Sequence, residues 1–139
     1  MPKRIIVGIS GASGVIYGIR ALQLLKALQA ETHLVMSKSA QLTLAQEQSM
    51  SLSELKALAD HTYAVGDVGA TIASGSFVTD GMLIAPCSIR TMSEIATGVT
   101  STLLTRAADV VLKERRRLVL MVRETPLHTG HLRTMTALS

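Results

Sequence analysis

The sequence predicts one three-layer α/β domain in which helices cover both faces of a doubly wound parallel sheet. Four short apolar runs have the length of strands, and amphipathic helical patterns stand between them. Because these runs are nearly continuous in apolar residues, they indicate strands that are covered on both faces, as in a parallel sheet. The length of 139 residues fits a single domain. The predicted strands are Arg4–Ile9, Thr32–Met36, Gly81–Ala85 and Leu118–Val122.

Apolar stripes and capping residues predict the helices between these strands. Apolar residues recur at every third position from Ile16 to Leu28, which gives a helix with one buried face. Serine is a favoured cap because its hydroxyl accepts a hydrogen bond from a free backbone N–H. Further helices are predicted from Ser37 or Ser39 to about Glu47, from Ser51 onward, over Leu103–Leu112 and over Leu132–Ser139.

Between these elements, residues 64–80 are rich in glycine and serine and are predicted to form a long loop. Loops of this length inside a compact domain often have a function. We find no internal repeat and no linker, so we expect one domain over residues 1–139. Since no closing strand follows the last helical segment, we expect the natural protein to continue for some tens of residues beyond Ser139.

Composition and charge limit the classes of function. Apolar residues make up 47% and aromatic residues 2%, so the core must be aliphatic, and no apolar run is long enough to span a membrane. The single cysteine, Cys87, excludes an internal disulfide and fits a reducing cytoplasm. Half of the 14 Lys and Arg residues lie between Arg106 and Arg133, without aromatic residues among them. This pattern favours a solvated helix end or a small-anion site over a nucleic-acid surface.

A glycine turn joins the first predicted strand to the first predicted helix. Gly8, Gly11 and Gly14 have the spacing G-x-x-G-x-x-G, which differs from the G-x-G-x-x-G of dinucleotide sites. Ser10 and Ser13 add hydroxyl donors suited to a terminal phosphate. A strand, a glycine turn and a helix together form a common phosphate-binding arrangement. The turn therefore predicts a phosphate site for a mononucleotide and argues against a standard NAD site.

Polar stretches follow all four predicted strands. They are Ser10–Ser13, Ser37–Ser39, Cys87–Thr91 and Arg123–Thr125. In an open parallel sheet, ligands bind beyond the carboxyl ends of the strands, at the point where the strand order reverses. The four stretches are therefore expected to meet at one ligand site.

With these stretches identified, the sequence resembles the UbiX-type flavin prenyltransferases, long described as aromatic-acid decarboxylases. The resemblance extends over essentially the whole chain, and its segments are specific in combination although none is specific alone. Arg117 stands where the family usually has proline, and the family's further strand, with a tyrosine and a basic residue for the substrate phosphate, is not found. The matching segments are Gly11–Gly14, Ser37–Lys38, Ala85–Ser88, Arg106–Arg116 and Val122–Pro126.

The resemblance implies a flavodoxin-like or Rossmann-like domain that holds FMN, with dimethylallyl phosphate as co-substrate and without a metal. It implies transfer of the dimethylallyl group to N5 and C6 of reduced flavin, which closes a fourth ring. The prenylated FMN would then serve a separate UbiD-type decarboxylase. It also implies a homo-oligomer, a dodecamer of four trimers, whose reacting sites lie between the subunits of a trimer.

By position, the resemblance assigns two sets of residues. The residues that would contact FMN are Gly11, Ala12, Ser13, Ser37, Ser88, Ile89, Arg90, Thr91 and Arg123. The residues that would form the reacting site are Ser13, Glu47, Arg106, Lys113 and Glu124. Arg106 and Lys113 are suited to stabilise the phosphate as it leaves. Glu124 or Glu47 is suited to move the flavin protons, with Ser13 as a relay.

Other interpretations stay open at this point. The second candidate is an FMN-dependent aromatic-acid decarboxylase that acts directly on a hydroxyarylic or phenylacrylic acid, as the older description of the family suggests. A non-catalytic flavin carrier subunit is the third candidate. Without the resemblance, Glu47 would be a solvated helix residue, and Lys113 would form an ion pair with Asp109.

Cysteine and histidine residues are predicted to have structural and not chemical roles. Cys87 has no histidine near it in the sequence and is predicted to be a small buried residue at a strand end. His128 and His131 have a spacing that metal sites use, but no third ligand is evident, so no metal site is predicted. His33 and His61 are interpreted as ordinary, partly exposed residues.

Overall fold

The computed structural model describes all 139 residues and contains a five-stranded parallel sheet. The order across the sheet is β3-β2-β1-β4-β5, so the strand order reverses between β1 and β4. This is the doubly wound arrangement predicted from the sequence, and the predicted fold class is confirmed. The strands are β1 (Arg4–Ile9), β2 (Glu31–Met36), β3 (His61–Tyr63), β4 (Gly81–Cys87) and β5 (Arg117–Val122).

Six α-helices connect or follow these strands, and several begin at the capping residues that the sequence indicated. Ser37 accepts the backbone N–H of Ala40, and Ser51 forms a capping box with Glu54. The predicted loop over residues 64–80 contains only a short 3-10 turn, at Thr71–Ala73. The helices are α1 (Val15–Ala27), α2 (Lys38–Glu47), α3 (Leu52–Lys56), α4 (Ile89–Thr97), α5 (Leu103–Lys113) and α6 (Thr129–Leu138).

The sequence predicted four strands, and β3 is the one that it did not reveal. This strand has three residues, and two of them are exposed. It pairs with β2 from His33 to Val35 at the edge of the sheet. A strand this short and this polar has no apolar run, so no periodic pattern distinguishes it from a loop.

Two aliphatic cores lie on the two faces of the sheet. On one face, α1 and α2 pack through residues such as Leu22 and Leu44, both nearly inaccessible to solvent. On the other face, α4 and α5 pack through residues such as Met92 and Leu104. The expectation of an aliphatic core is confirmed, and the sheet is held as the middle of three layers.

The last strand, β5, is less covered than the other long strands. It lies at the edge of the sheet, and its Val119 and Met121 side chains are 48% and 42% exposed. Its opposite face packs against the core together with Met135 and Leu138 of α6. None of the helices combines the length and the apolar character that crossing a membrane requires.

Candidate functional site

A cleft with two lobes lies where the polar ends of β1, β2, β4 and β5 meet. The first lobe has a volume of about 530 Å³ and the second about 470 Å³, and Gly11, Ser88 and Arg90 line both. Both volumes lie in the range of small-molecule sites. Every residue predicted to contact FMN lines one lobe or the other. The predicted convergence of the four polar stretches is confirmed.

Three helices direct their amino ends toward the first lobe. Each begins with a hydroxyl cap that lines this lobe: Ser37 for α2, Ser88 for α4 and Thr102 for α5. Unpaired N–H groups and the helix dipole make such ends favourable for anions. Lys38 lines the same lobe without an ion-pair partner and adds a positive charge, whereas the charge of Arg90 is paired with Glu94. The first lobe is therefore suited to an anionic group such as a phosphate.

Ser10 holds the cleft in shape and does not face a ligand. Its hydroxyl donates a hydrogen bond to the Pro86 carbonyl at 2.7 Å and accepts one from the Ser88 N–H at 2.7 Å. The residue is 1% exposed. Since its only hydroxyl hydrogen is used, the expectation that Ser10 donates to a phosphate is wrong. The bonds instead join the end of β1 to the cap of α4.

The amino end of α1 is closed by a carboxylate of the protein itself. Glu47 Oε1 accepts the N–H groups of Gly14 at 3.0 Å and of Val15 at 3.4 Å. A phosphate therefore cannot occupy this helix end while Glu47 is in place, which corrects the simple form of the glycine-turn prediction. The turn still contributes to the cleft, because Gly11, Ala12 and Ser13 line the second lobe.

The same contacts lower the pKa of Glu47 below its ordinary value. The largest cause is the hydrogen bond from the Gly14 backbone N–H, and the Ser13 side chain, the Val15 N–H and Arg123 act in the same direction. Burial opposes them and raises the pKa. Glu47 is thus held as a carboxylate beside Ser13, which agrees with the predicted placement of these two residues at one reacting site.

This pKa shift predicts a pH-dependent difference between the wild-type protein and Glu47→Gln. A folded-state pKa below the ordinary 4.5 means that the carboxylate stabilises the fold above about pH 4.5. That contribution is lost as the pH falls through the lowered pKa. We expect the difference in free energy of unfolding between the two proteins to shrink over this acidic range in urea titrations. A difference that does not change with pH would contradict this role of the charge.

Glu124 lies in the second lobe with its carboxylate accessible. Its only hydrogen bond in the protein is accepted from the neighbouring Thr125 N–H, at 3.1 Å. Arg123 and Ser13 line the same lobe. The second lobe therefore brings together a cation, a hydroxyl and an accessible carboxylate, which is a set that can bind an anion and exchange protons.

Arg106 and Lys113 do not line the cleft of their own chain. On α5, Arg106 pairs with Asp109 at 3.6 Å, while Lys113 pairs with Glu114 at 3.0 Å. The pairing of Lys113 with Asp109 expected from the sequence is therefore wrong. Lys113 ends α5, four residues before β5 begins, and lies near Gly75. This is the side of the sheet where the strands begin, whereas the cleft lies where the strands end. Within one chain, the structure separates Lys113 from Ser13, Glu47 and Glu124.

The α4–α5 connection also contributes to the cleft, and sequence reasoning missed it. Glu94 accepts hydrogen bonds from Ser101 at 2.7 Å and from Arg90 at 3.1 Å, and all three residues line the first lobe. The sequence did contain a weak signal, since a polar segment precedes the apolar stripe of α5. No pattern in it indicated that the segment faces the other strand ends.

Cys87 is the small buried residue that was predicted, and the two C-terminal histidines cap a helix. Cys87 is fully buried, and burial raises the pKa of its thiol to about 12, so it is not a thiolate nucleophile at neutral pH. His128 and His131 cap each other's backbone N–H groups at the start of α6. Their rings stack with centroids 3.5 Å apart.

His33 differs from its prediction, because it is 2% exposed and not partly exposed. Its ring nitrogens contact Glu31 at 2.7 Å and the Tyr63 hydroxyl at 2.8 Å. Glu31, His33 and His61 place potential metal ligands within 4.8 Å of one another. The two imidazole planes, however, stack at 16°, so their in-plane lone pairs do not converge, and Arg4 already binds the Glu31 carboxylate at 3.0 Å.

The fold and the cleft define a nucleotide-binding α/β protein, since the cleft lies at the reversal of strand order and is lined by helix ends and basic side chains. Comparison with known proteins narrows this class. The chain matches the model of the family described as Flavoprotein over residues 1–136. It therefore belongs to the flavoprotein family, among the relatives named flavin prenyltransferase UbiX.

Two such relatives show the extent of the similarity. The chain is 60% identical over 135 residues to flavin prenyltransferase UbiX of Neisseria meningitidis serogroup B, covering 97% of this chain and 71% of that protein. It is 64% identical over 135 residues to flavin prenyltransferase UbiX of Escherichia coli K12, covering 96% of this chain and 71% of that protein.

Solved structures agree with this assignment. The fold superimposes on AnUbiX (PadA1) in complex with FMN and dimethylallyl pyrophosphate with a TM-score of 0.98 and 47% identity, covering 99% of this chain and 73% of that one. It matches a dodecameric FMN-dependent Ubix-like decarboxylase from Escherichia coli O157:H7 with a TM-score of 0.95 and 50% identity. The match covers 97% of this chain and 74% of that one.

Proposed function

We propose that the protein is a flavin prenyltransferase that transfers a dimethylallyl group from dimethylallyl phosphate to reduced FMN. The chain belongs to a family whose curated members carry this name, and the similar structure of AnUbiX holds FMN together with a dimethylallyl donor. The reduced flavin supplies the nucleophile in this reaction, and the allylic phosphate supplies the electrophile. The prenylated flavin would then serve a UbiD-type decarboxylase.

The observation that carries this proposal is the division of the cleft into two anion-binding lobes. FMN and dimethylallyl phosphate each have one phosphate, and each lobe has its own positive charge, from Lys38 in the first and Arg123 in the second. The shared wall at Gly11, Ser88 and Arg90 places the two sites side by side. A protein that only carried flavin would need one such lobe.

The accessible carboxylate and hydroxyl assign the chemistry to the second lobe. We infer that the phosphate of FMN lies in the first lobe and that its ring reaches toward Ser13 and Glu124. There Arg123 stabilises the negative charge on the departing phosphate. Glu124 exchanges protons with the reacting centre, and Ser13 passes them to or from Glu47, which contacts its side chain.

Arg106 and Lys113 take part in this scheme only if a neighbouring subunit supplies them. Lys113 lies at the amino ends of the strands, away from the cleft of its own chain. We therefore propose that the protein is a homo-oligomer, a dodecamer built from trimers, with reacting sites between subunits. The dodecameric Ubix-like decarboxylase with the same fold supports this assembly.

We further propose that residues 1–139 act as one FMN-binding domain and that the protein works in the cytoplasm. Both cores share a single sheet, which supports one domain. The buried free thiol of Cys87 supports a reducing compartment.

The proposed function is tested by incubating the protein with reduced FMN and dimethylallyl phosphate and measuring the mass of the flavin. A gain of one prenyl unit supports prenyl transfer. Release of carbon dioxide from a phenylacrylic acid, with the flavin unchanged, would support a direct decarboxylase instead. Tight FMN binding without either reaction would support the carrier role.

A further inference from the structure

A smaller cavity adjoins the first lobe of the cleft, and the proposed reaction leaves it unused. Its volume is about 290 Å³. Lys38, Val65 and Gly66 line both this cavity and the first lobe, so the two spaces meet along these residues. The remaining walls come from β2, α2, α3 and the segment that begins with β3. We call this space the side cavity.

The side cavity combines two unpaired cations with an apolar floor. Lys38 and Lys56 both line it, and neither forms an ion pair within the chain. Leu34 and Met36, which are 1% and 4% exposed, form part of the apolar lining. Gln41 adds an amide that can both donate and accept hydrogen bonds. These groups suit a ligand that has an anionic group and a flat, partly apolar ring.

The position of the side cavity indicates what such a ligand is attached to. In the proposed function, the phosphate of FMN lies in the first lobe, where Lys38 and three helix ends provide the charge. Lys38 also lines the side cavity. A group joined to that phosphate would therefore extend from the cleft into the side cavity.

We propose that the cleft also accepts FAD, with its adenylate in the side cavity. The second phosphate lies between Lys38 and Lys56, and the adenine lies on the apolar floor, where the Gln41 amide can bind its edge. This arrangement differs from a standard dinucleotide site because lysine side chains, and not a G-x-G-x-x-G turn, bind the diphosphate. The inference rests on the proposed orientation of FMN.

The test compares FMN and FAD binding to the purified protein and to Lys56→Gln. We expect the variant to bind FAD about two- to fivefold more weakly, the range of an exposed ion pair, and to bind FMN as the wild type does. Raising the salt concentration should weaken FAD binding more than FMN binding, because the dinucleotide makes an additional ionic contact. Lys26→Gln on α1 is the matched control and should change neither affinity.

The binding of FMN separates failure of the FAD proposal from failure of the proposed prenyltransferase function. If FMN binds and FAD does not, or if Lys56→Gln leaves FAD affinity unchanged, the side cavity does not hold an adenylate and this inference is overturned. Equal weakening of FMN and FAD by Lys56→Gln would overturn it as well. Failure of the protein to bind FMN at all would contradict the proposed function itself.

Discussion

Glu124→Gln is expected to retain FMN and to lose prenyl transfer by about a hundredfold or more, the typical contribution of an acid–base group. The amide has nearly the same shape as the carboxylate and can still accept the Thr125 N–H. It cannot exchange a proton with the reacting flavin at neutral pH. Rates of flavin prenylation under single-turnover conditions, with FMN affinity measured in parallel, test the expectation.

The matched control for this variant is Glu54→Gln, which changes a glutamate that caps α3 and lines neither lobe of the cleft. It should keep full prenyl transfer. Full activity in Glu124→Gln would remove Glu124 from the mechanism. A parallel loss of FMN affinity would instead show that the residue binds the flavin.

Gly11→Val is expected to abolish FMN binding. A β-carbon at this position would overlap Cβ of Ser39 and lie 3.3 Å from the Ser39 carbonyl carbon. The first turn of α2 must therefore move, and Ser37, Lys38 and Ser39 of that turn all line the first lobe. The predicted clash is therefore with α2 of the protein itself and does not need a bound phosphate.

Titrations that follow quenching of flavin fluorescence test this variant, and size-exclusion chromatography shows whether it stays folded and assembled. We expect a lower free energy of unfolding as well, by about 1–3 kcal/mol, as for other overpacked sites. Gly69→Val is the control, because its added β-carbon would meet only Asp67, at 3.9 Å. Normal quenching by Gly11→Val would rule out a close approach of α2 to the flavin phosphate.

Sequence patterns were sufficient for the long elements of the fold. The strand Arg4–Ile9 was predicted to the residue, and the capping serines located the starts of α2 and α3. These elements follow local rules, since a continuous apolar run or a hydroxyl cap acts over a few neighbouring residues. β3 has no such local signal, and its only support is the adjacent edge of β2.

The candidate site likewise combines features that the sequence showed with features that only the structure revealed. The residue types that follow each strand were visible in the sequence, and all those assigned to FMN do line the cleft. Their individual partners were not visible. Ser10 resembles a phosphate donor in the sequence, yet its hydroxyl is used up by Pro86 and Ser88, which lie 76 and 78 residues away.

The sequence by itself therefore determined the doubly wound class, the edge of the sheet that carries the site and, through its specific motifs, the family. Only the tertiary structure decided that Glu47 closes the amino end of α1, that Lys113 lies away from the cleft of its own chain, and that Lys38 joins the cleft to a side cavity. The physical reason is the sequence separation of the residues that interact. Strand and helix signals depend on neighbouring residues, whereas a hydrogen bond or a shared wall depends on which distant segments the packed core brings together.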